Sequence, residues 1–151
     1  MMKYAFTLIE IIFVIVILGI LSAVAIPKLI ATRDDAIVSK KLGQIRAISN
    51  EISSYTFSRV GSEENLSKMS NVLSEMENEG IAHIDVSQRK AKIKVGSADD
   101  CLIFTIVRGS DEENLTLSFG NGGNDPLCQM VQKNVDLRNY PIPLRGQLVK
   151  F

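Results

Sequence analysis

The stretch FTLIEIIFVIVILGILSAVAIP, Phe6 to Pro27, constrains this chain more than any other part of it. From Ile11 to Leu21 no side chain is polar, and across Phe6–Ile26 only Thr7, Glu10, Gly19 and Ser22 interrupt the apolar run. At the rise of an α-helix that span covers about 31 Å, close to the hydrocarbon thickness of a bilayer. In lipid a lone segment satisfies its own backbone only as a helix. The competing reading is a core helix, which would need a large domain around it; of 151 residues about 120 remain. The sequence therefore predicts a membrane-spanning helix near the start.

An ordinary secretory signal has a basic start, an apolar stretch and a small-residue cleavage site. Lys3, Ile11–Leu21 and the triplet Ala23-Val24-Ala25 supply all three, and a cut after Ala25 would discard the helix. Two features argue against that reading. The leader before the apolar run is only Met1–Ala5, and Glu10 lies inside the run. A carboxylate there costs up to ~3 kcal/mol near a bilayer centre, less near its edge, and a simple signal gains nothing from it.

The residues A-FTLIE-IIFVIVILGILSAVAIP resemble the start of type IV pilins and of the related pseudopilins of type II secretion. The resemblance covers about the first 30 residues. It implies cleavage between Ala5 and Phe6 by a dedicated prepilin peptidase, and N-methylation of the new Phe6 amine by the same enzyme. The family usually has Gly before the cut; Ala5 departs from that but stays small. Glu10 then gains a purpose. It lies one helical turn from the Phe6 amine, on the same face, and in the first turn, where the helix dipole favours an anion. The resemblance implies that Glu10 of one subunit meets the Phe6 amine of a neighbour inside a parallel helix bundle. An unpaired buried charge costs several kcal/mol, so such a contact would reject wrong registers as well as hold the right one. A carboxylate reaching the headgroups on its own is the alternative.

Gly19 and Pro27 are the remaining breaks, and the family reading assigns them to a local loosening during filament packing. Helix packing through a small residue, or a boundary proline, is the plainer alternative. Beyond Pro27, apolar residues recur at Val38, Leu42, Ile45, Ile48, Ile52 and Tyr55, with Arg33, Asp34, Lys40, Lys41, Arg46 and Glu51 suited to a wet face. That spacing predicts a helix continuing to about Phe57, amphipathic in its second half. A second short helix is expected from an N-cap at Ser62 through Leu66, Met69, Val72, Leu73 and Met76 to a stop at Gly80. Periodicity then changes to two. RKAKIKV, CLIFTIV (Cys101–Val107) and LTLSF (Leu115–Phe119) read as strands, the last two joined as an antiparallel hairpin.

The expected fold is α+β, a long amino-terminal helix packed on a small antiparallel sheet, as in pilins. The expected divisions are a leader at 1–5, a transmembrane helix and filament core at 6–26, an amphipathic continuation at 27–58 and a head at 59–151.

Cys101 and Cys128 are the only cysteines. An exported head sits in an oxidising compartment, where an even pair suggests a disulfide, stabilising by about 3.5 kcal/mol in the chain-entropy model. Many type IV pilins have a cysteine-bounded loop near the carboxyl end, and this pair resembles it. Two free buried thiols are the alternative; a metal site has only His83 to assist. Asn121, Asn124 and Asp125, with Asp99, Asp100 and Asp111, are weak oxygen candidates for Ca²⁺, which some major pseudopilins bind. The spacing fits no EF-hand, so no cofactor is expected. Formal charge is zero, from 17 basic and 17 acidic residues. The basic run Arg89, Lys90, Lys92, Lys94 invites a DNA-uptake reading, but lysines on an exposed edge strand more often block aggregation. No serine elbow, phosphate loop or metal spacing points to an enzyme.

The expectation is therefore a structural subunit of a pilin-like filament, most simply a type II secretion pseudopilin, with a pilus or competence subunit as runner-up. Implied partners are related subunits, the prepilin peptidase, and an inner-membrane platform protein with its assembly ATPase. The helix would be stored in the inner membrane with the head in the periplasm. A membrane-tethered periplasmic domain that never polymerises is the alternative from another class.

Overall fold

The computed structural model describes residues 7–59, 61–109 and 112–145, the side chains of residues 27, 30 and 31 excepted. The chain divides into two compact units, Met1–Ile37 and Val38–Phe151. One helix, α1 (Leu8–Arg59), contributes to both and runs without interruption through Pro27. Its start is fixed by the Thr7 carbonyl, which accepts from Glu10 N at 3.1 Å. Its end is closed by Gly61 N donating to the Thr56 carbonyl at 3.2 Å.

In the second unit the amphipathic face of α1 lies where the spacing puts it. Val38, Ile45, Ile48 and Ile52 are buried, and Leu42 and Tyr55 pack against them half-buried. Glu51 departs from the expected wet face. Its Oε2 accepts from the Ser70 hydroxyl at 2.6 Å and from Val72 N at 3.2 Å, tying α1 to the start of the next helix.

That next helix corrects the sequence expectation. There is no single helix capped by Ser62. A 3-10 turn, Leu66–Lys68, is capped by Asn65, and α2 (Asn71–Asn78) by Ser70, whose hydroxyl accepts from Leu73 N at 3.1 Å. Each cap offers its side-chain oxygen to an otherwise unpaired amide, and two such caps five residues apart split the apolar run. Leu66, Met69, Leu73 and Met76 are buried all the same. Gly80, at φ +70°, ends the segment as expected.

The sheet has five strands in the order β1-β2-β3-β4-β5, where the sequence reading placed three. They are β1 (Ala82–Asp85), β2 (Lys90–Val95), β3 (Ala98–Arg108), β4 (Glu113–Phe119) and β5 (Ile142–Pro143), each antiparallel to its neighbours. The β3–β4 hairpin is the one expected, with Phe104 opposite Leu117 and Ile106 opposite Leu115. One face of the sheet buries Ala91, Ile93, Leu102, Phe104, Leu115 and Leu117 together with the α1 side chains. The other carries Lys90, Lys92, Thr105 and Thr116. The lysine strand is not an edge strand: β2 lies between β1 and β3, and the edges are the short β1 and β5.

The glycine-rich stretch before Cys128 is a loop only as far as Asp125. From there α3 (Pro126–Asn134) begins, with Asp125 as N-cap and Pro126 in the first turn.

Candidate functional site

Within Leu8–Ile26 of the first unit, Glu10 is the one charged residue. Leu8–Ile26 is long and apolar enough to cross a membrane, about 28 Å at helical rise. Every residue from Leu8 to Ile26 is exposed within the chain, so its apolar surface has no internal partner. Glu10 sits in the first turn, and Thr7 holds it. Thr7 N donates to Glu10 Oε2 at 2.9 Å, and the Thr7 hydroxyl donates to the same oxygen at 2.7 Å. This is half of a capping box: the acid three residues into the helix reaches back to the amide of the capping residue. Glu10 Oε1 accepts no hydrogen bond among the described residues.

Sequence reasoning placed Glu10 correctly at the helix start but gave Thr7 no role. The signal was present as T-x-x-E ahead of an apolar run, a pattern that marks a helix amino terminus. Ala5 and Phe6 lie outside the described residues. Gly19 lies within α1, and a Cβ built there would meet nothing within 4 Å in the isolated chain. The α1 backbone stays helical at Pro27, one residue beyond the long apolar segment.

The sites expected in the second unit resolve individually. Cys101 and Cys128 are joined in a disulfide and wholly buried, linking β3 to α3. Three of the Ca²⁺ candidates have partners within the head. Asp125 Oδ1 accepts from Cys128 N at 2.9 Å, and Oδ2 accepts from Ser97 N and the Ser97 hydroxyl, each at 2.8 Å. The Ser97 amide, with help from Cys128 N and the Ser97 hydroxyl, holds the Asp125 carboxyl below the usual carboxylate range. Asn121 Oδ1 faces Gly123 N, and Asp99 pairs with Lys94 at 2.6 Å. Asp111 lies outside the described residues. No group of three or more His, Cys, Asp or Glu that could hold a metal occurs among the described residues. Asp125 thus serves as the α3 cap and clamps the loop at Ser97.

The basic run keeps Lys90, Lys92 and Lys94 on one face of β2, with part of its charge paired within the head. Arg89 pairs with Glu64 at 3.3 Å and Lys94 with Asp99, while Lys90 donates to Gln88 at 3.0 Å. His83 is exposed on β1, opposite Lys92.

Sequence reasoning missed the buried carboxylate of the head. Glu113 is 3% exposed at the start of β4. The Arg108 Nε donates to its Oε1, and Ser62 N donates to its Oε2 at 3.2 Å. Its own carbonyl accepts from Leu144 N at 2.7 Å. One residue therefore pins the segment after α1, the hairpin and the carboxyl-terminal strand.

The whole chain resembles no curated protein and no solved structure closely enough to register a match. Its amino terminus does match a family model, the prokaryotic N-terminal methylation motif, over residues 1–26. That match ends where the long apolar segment ends, and with the one candidate span among the described residues it supports a type IV pilin-like subunit and fits an inner-membrane anchor. The motif implies processing by a prepilin peptidase and assembly with pilin-like subunits. The α+β architecture of the head, an amphipathic helix against an antiparallel sheet, is pilin-like. At its amino terminus this chain carries the prepilin motif of type IV pilins and pseudopilins.

Proposed function

We propose that the chain is cut between Ala5 and Phe6, methylated on the Phe6 amine, and assembled as a structural subunit of a pilin-like filament. The observation that carries this reading is the carboxylate Glu10, held at the start of a membrane-length helix inside the matched motif. Before assembly, the two Thr7 donors satisfy Oε2 and lower the cost of keeping the charge at the bilayer edge. Oε1 stays open toward a cation. In the filament, the Phe6 ammonium of a neighbouring subunit supplies it. The pair then lies among apolar helices, where an unpaired charge costs several kcal/mol, so subunits out of register are rejected. Loosening between Gly19 and Pro27 adjusts the helix during packing. The head remains outside, in the periplasm or on the filament surface, with Cys101–Cys128 holding its carboxyl-terminal part.

Within this class we favour a pseudopilin of type II secretion, because the continuation IPKLIATRDDA is similar to that group. The cysteine pair favours a pilus or competence subunit instead, and is the reason to keep that second reading. Mass spectrometry of the processed chain tests the proposal: N-methyl-Phe6 at its start is expected. A chain beginning at Ile26 would make the segment a secretory signal and overturn the reading.

A further inference from the structure

The head has a groove that the proposed assembly helix leaves unused. It lies at the β5 edge of the sheet, between the α1 stretch from Leu42 to Asn50 and the segment from Asn134 to Ile142, with a volume of about 320 Å³. Leu42, Ile45, Val135 and Tyr140 give it an apolar floor. The Tyr140 hydroxyl is hydrogen-bonded with Ser49 Oγ at 2.5 Å and its ring meets Phe104 edge-on, so two contacts set the position of that ring. Arg46 stands exposed at the rim. It has neither a carboxylate within 4.0 Å nor a hydrogen bond among the described residues. The acid that shares the groove, Asp136, is already bound through both oxygens by Arg138. The groove thus offers a small apolar slot beside a cation that lacks a counter-ion.

A matching knob stands at the other edge of the sheet. The β1–β2 turn begins with Asp85 and exposes Val86 by 43%. It is preformed: Asp85 Oδ1 accepts from the Ser87 hydroxyl at 2.6 Å and from Gln88 N at 3.1 Å. Asp85 Oδ2 accepts no hydrogen bond among the described residues, and Lys90, opposite it on β2, supplies only a nearby charge. Knob and groove sit on opposite edges, β1 and β5, of the same head. Two different, complementary surfaces on one subunit make a head-to-tail contact, which propagates from copy to copy wherever the rotation between copies does not close a ring.

We propose that the groove at the β5 edge receives the Asp85–Val86 turn of a second copy of this chain, with Val86 in the apolar slot and Asp85 on Arg46. The contact rests on the filament reading and deepens it by naming a head surface. One turn in one groove binds weakly alone. Added to the helix contact, it gains from high effective concentration and fixes the relation between neighbouring heads.

Charge reversal in the full-length chain, expressed with its assembly machinery, tests this. Arg46→Glu and Asp85→Arg should each lower the sedimentable polymer about tenfold or more, and the double variant should restore it to within about threefold of the parent. Arg46 is exposed and makes no bond among the described residues, so the Arg46→Glu melt should match the parent; Asp85→Arg also removes two turn bonds and should melt slightly lower while staying folded, with its loss of polymer reversed only when Arg46→Glu is added. Singles that polymerise normally, or a double as poor as the singles, overturn the contact while leaving the filament reading intact. A parent chain that never polymerises overturns both. Independently, Ser87→Cys with Asn139→Cys should link copies into a ladder under mild oxidation. Links only to some other protein, or none in polymer-forming cells, overturn the choice of a second copy.

Discussion

Replacing Glu113 by Gln keeps the shape of a buried side chain and removes its charge. Glu113 is 3% exposed and accepts from both the Arg108 guanidinium and Ser62 N. A hydrogen bond to a charged group contributes ~1.5–3 kcal/mol and a neutral one ~0.5–1.5. The Arg108 side chain is 42% exposed, so solvent screens part of the difference. The expected loss is therefore about 1.5 kcal/mol, which for a head of this size lowers Tm by about 6–10 °C. The pH dependence is the sharper readout. Burial pushes the Glu113 carboxyl up, but bonds from Ser62 and Arg108, with the Arg108 charge, outweigh it and hold it below its usual value of 4.5. A carboxyl depressed on folding stabilises fully above the unfolded pKa and loses that contribution as pH falls through the folded one. The parent should therefore lose stability below about pH 4.5, and the Gln variant should lose less over the same window. Melts of the detergent-solubilised full chain, followed by circular dichroism from pH 7 down, measure both. A Gln variant that melts with the parent at pH 7 and follows the same acid profile would refute the claim that this carboxylate clamps the head.

Cys128→Ser should cost the head about 3.5 kcal/mol, and reductant should bring the parent down to a similar melt, since both remove the same link between β3 and α3. A parent indifferent to reductant would contradict this. Gly120→Ala should cost about 2–4 kcal/mol, because a Cβ at that position collides with the Asp100 carbonyl on β3 and backbone cannot swing aside. An unshifted melt would show that the hairpin end is looser than its geometry.

The long helix and the head's core were legible because their signals are long and periodic. Val38, Ile45, Ile48 and Ile52 repeat at helical spacing and are buried as that spacing requires. The β3–β4 hairpin followed from a continuous apolar strand beside an alternating one. What escaped reading was short or settled by distant partners. β1 and β5 have four and two residues, too few for a period to show. The split of the second helix comes from caps at Asn65 and Ser70, which compete locally with Ser62, while the bond from Ser70 to Glu51, nineteen positions back, leaves no local trace. The α3 start was readable from Asp125-Pro126, a cap followed by the residue best suited to a first turn, but the glycines before it drew the reading toward a loop. At the amino terminus the motif itself named Glu10. Its bond to Thr7 followed the capping-box pattern that the sequence already held.

In the proposed filament Glu10 serves assembly rather than insertion, and replacing it with Leu separates the two. Carbonate-resistant membrane protein and sedimentable polymer, measured from the same cells, give both quantities. Membrane insertion should be unchanged while polymer falls by an order of magnitude or more. Parental amounts of polymer from Glu10→Leu would contradict that role.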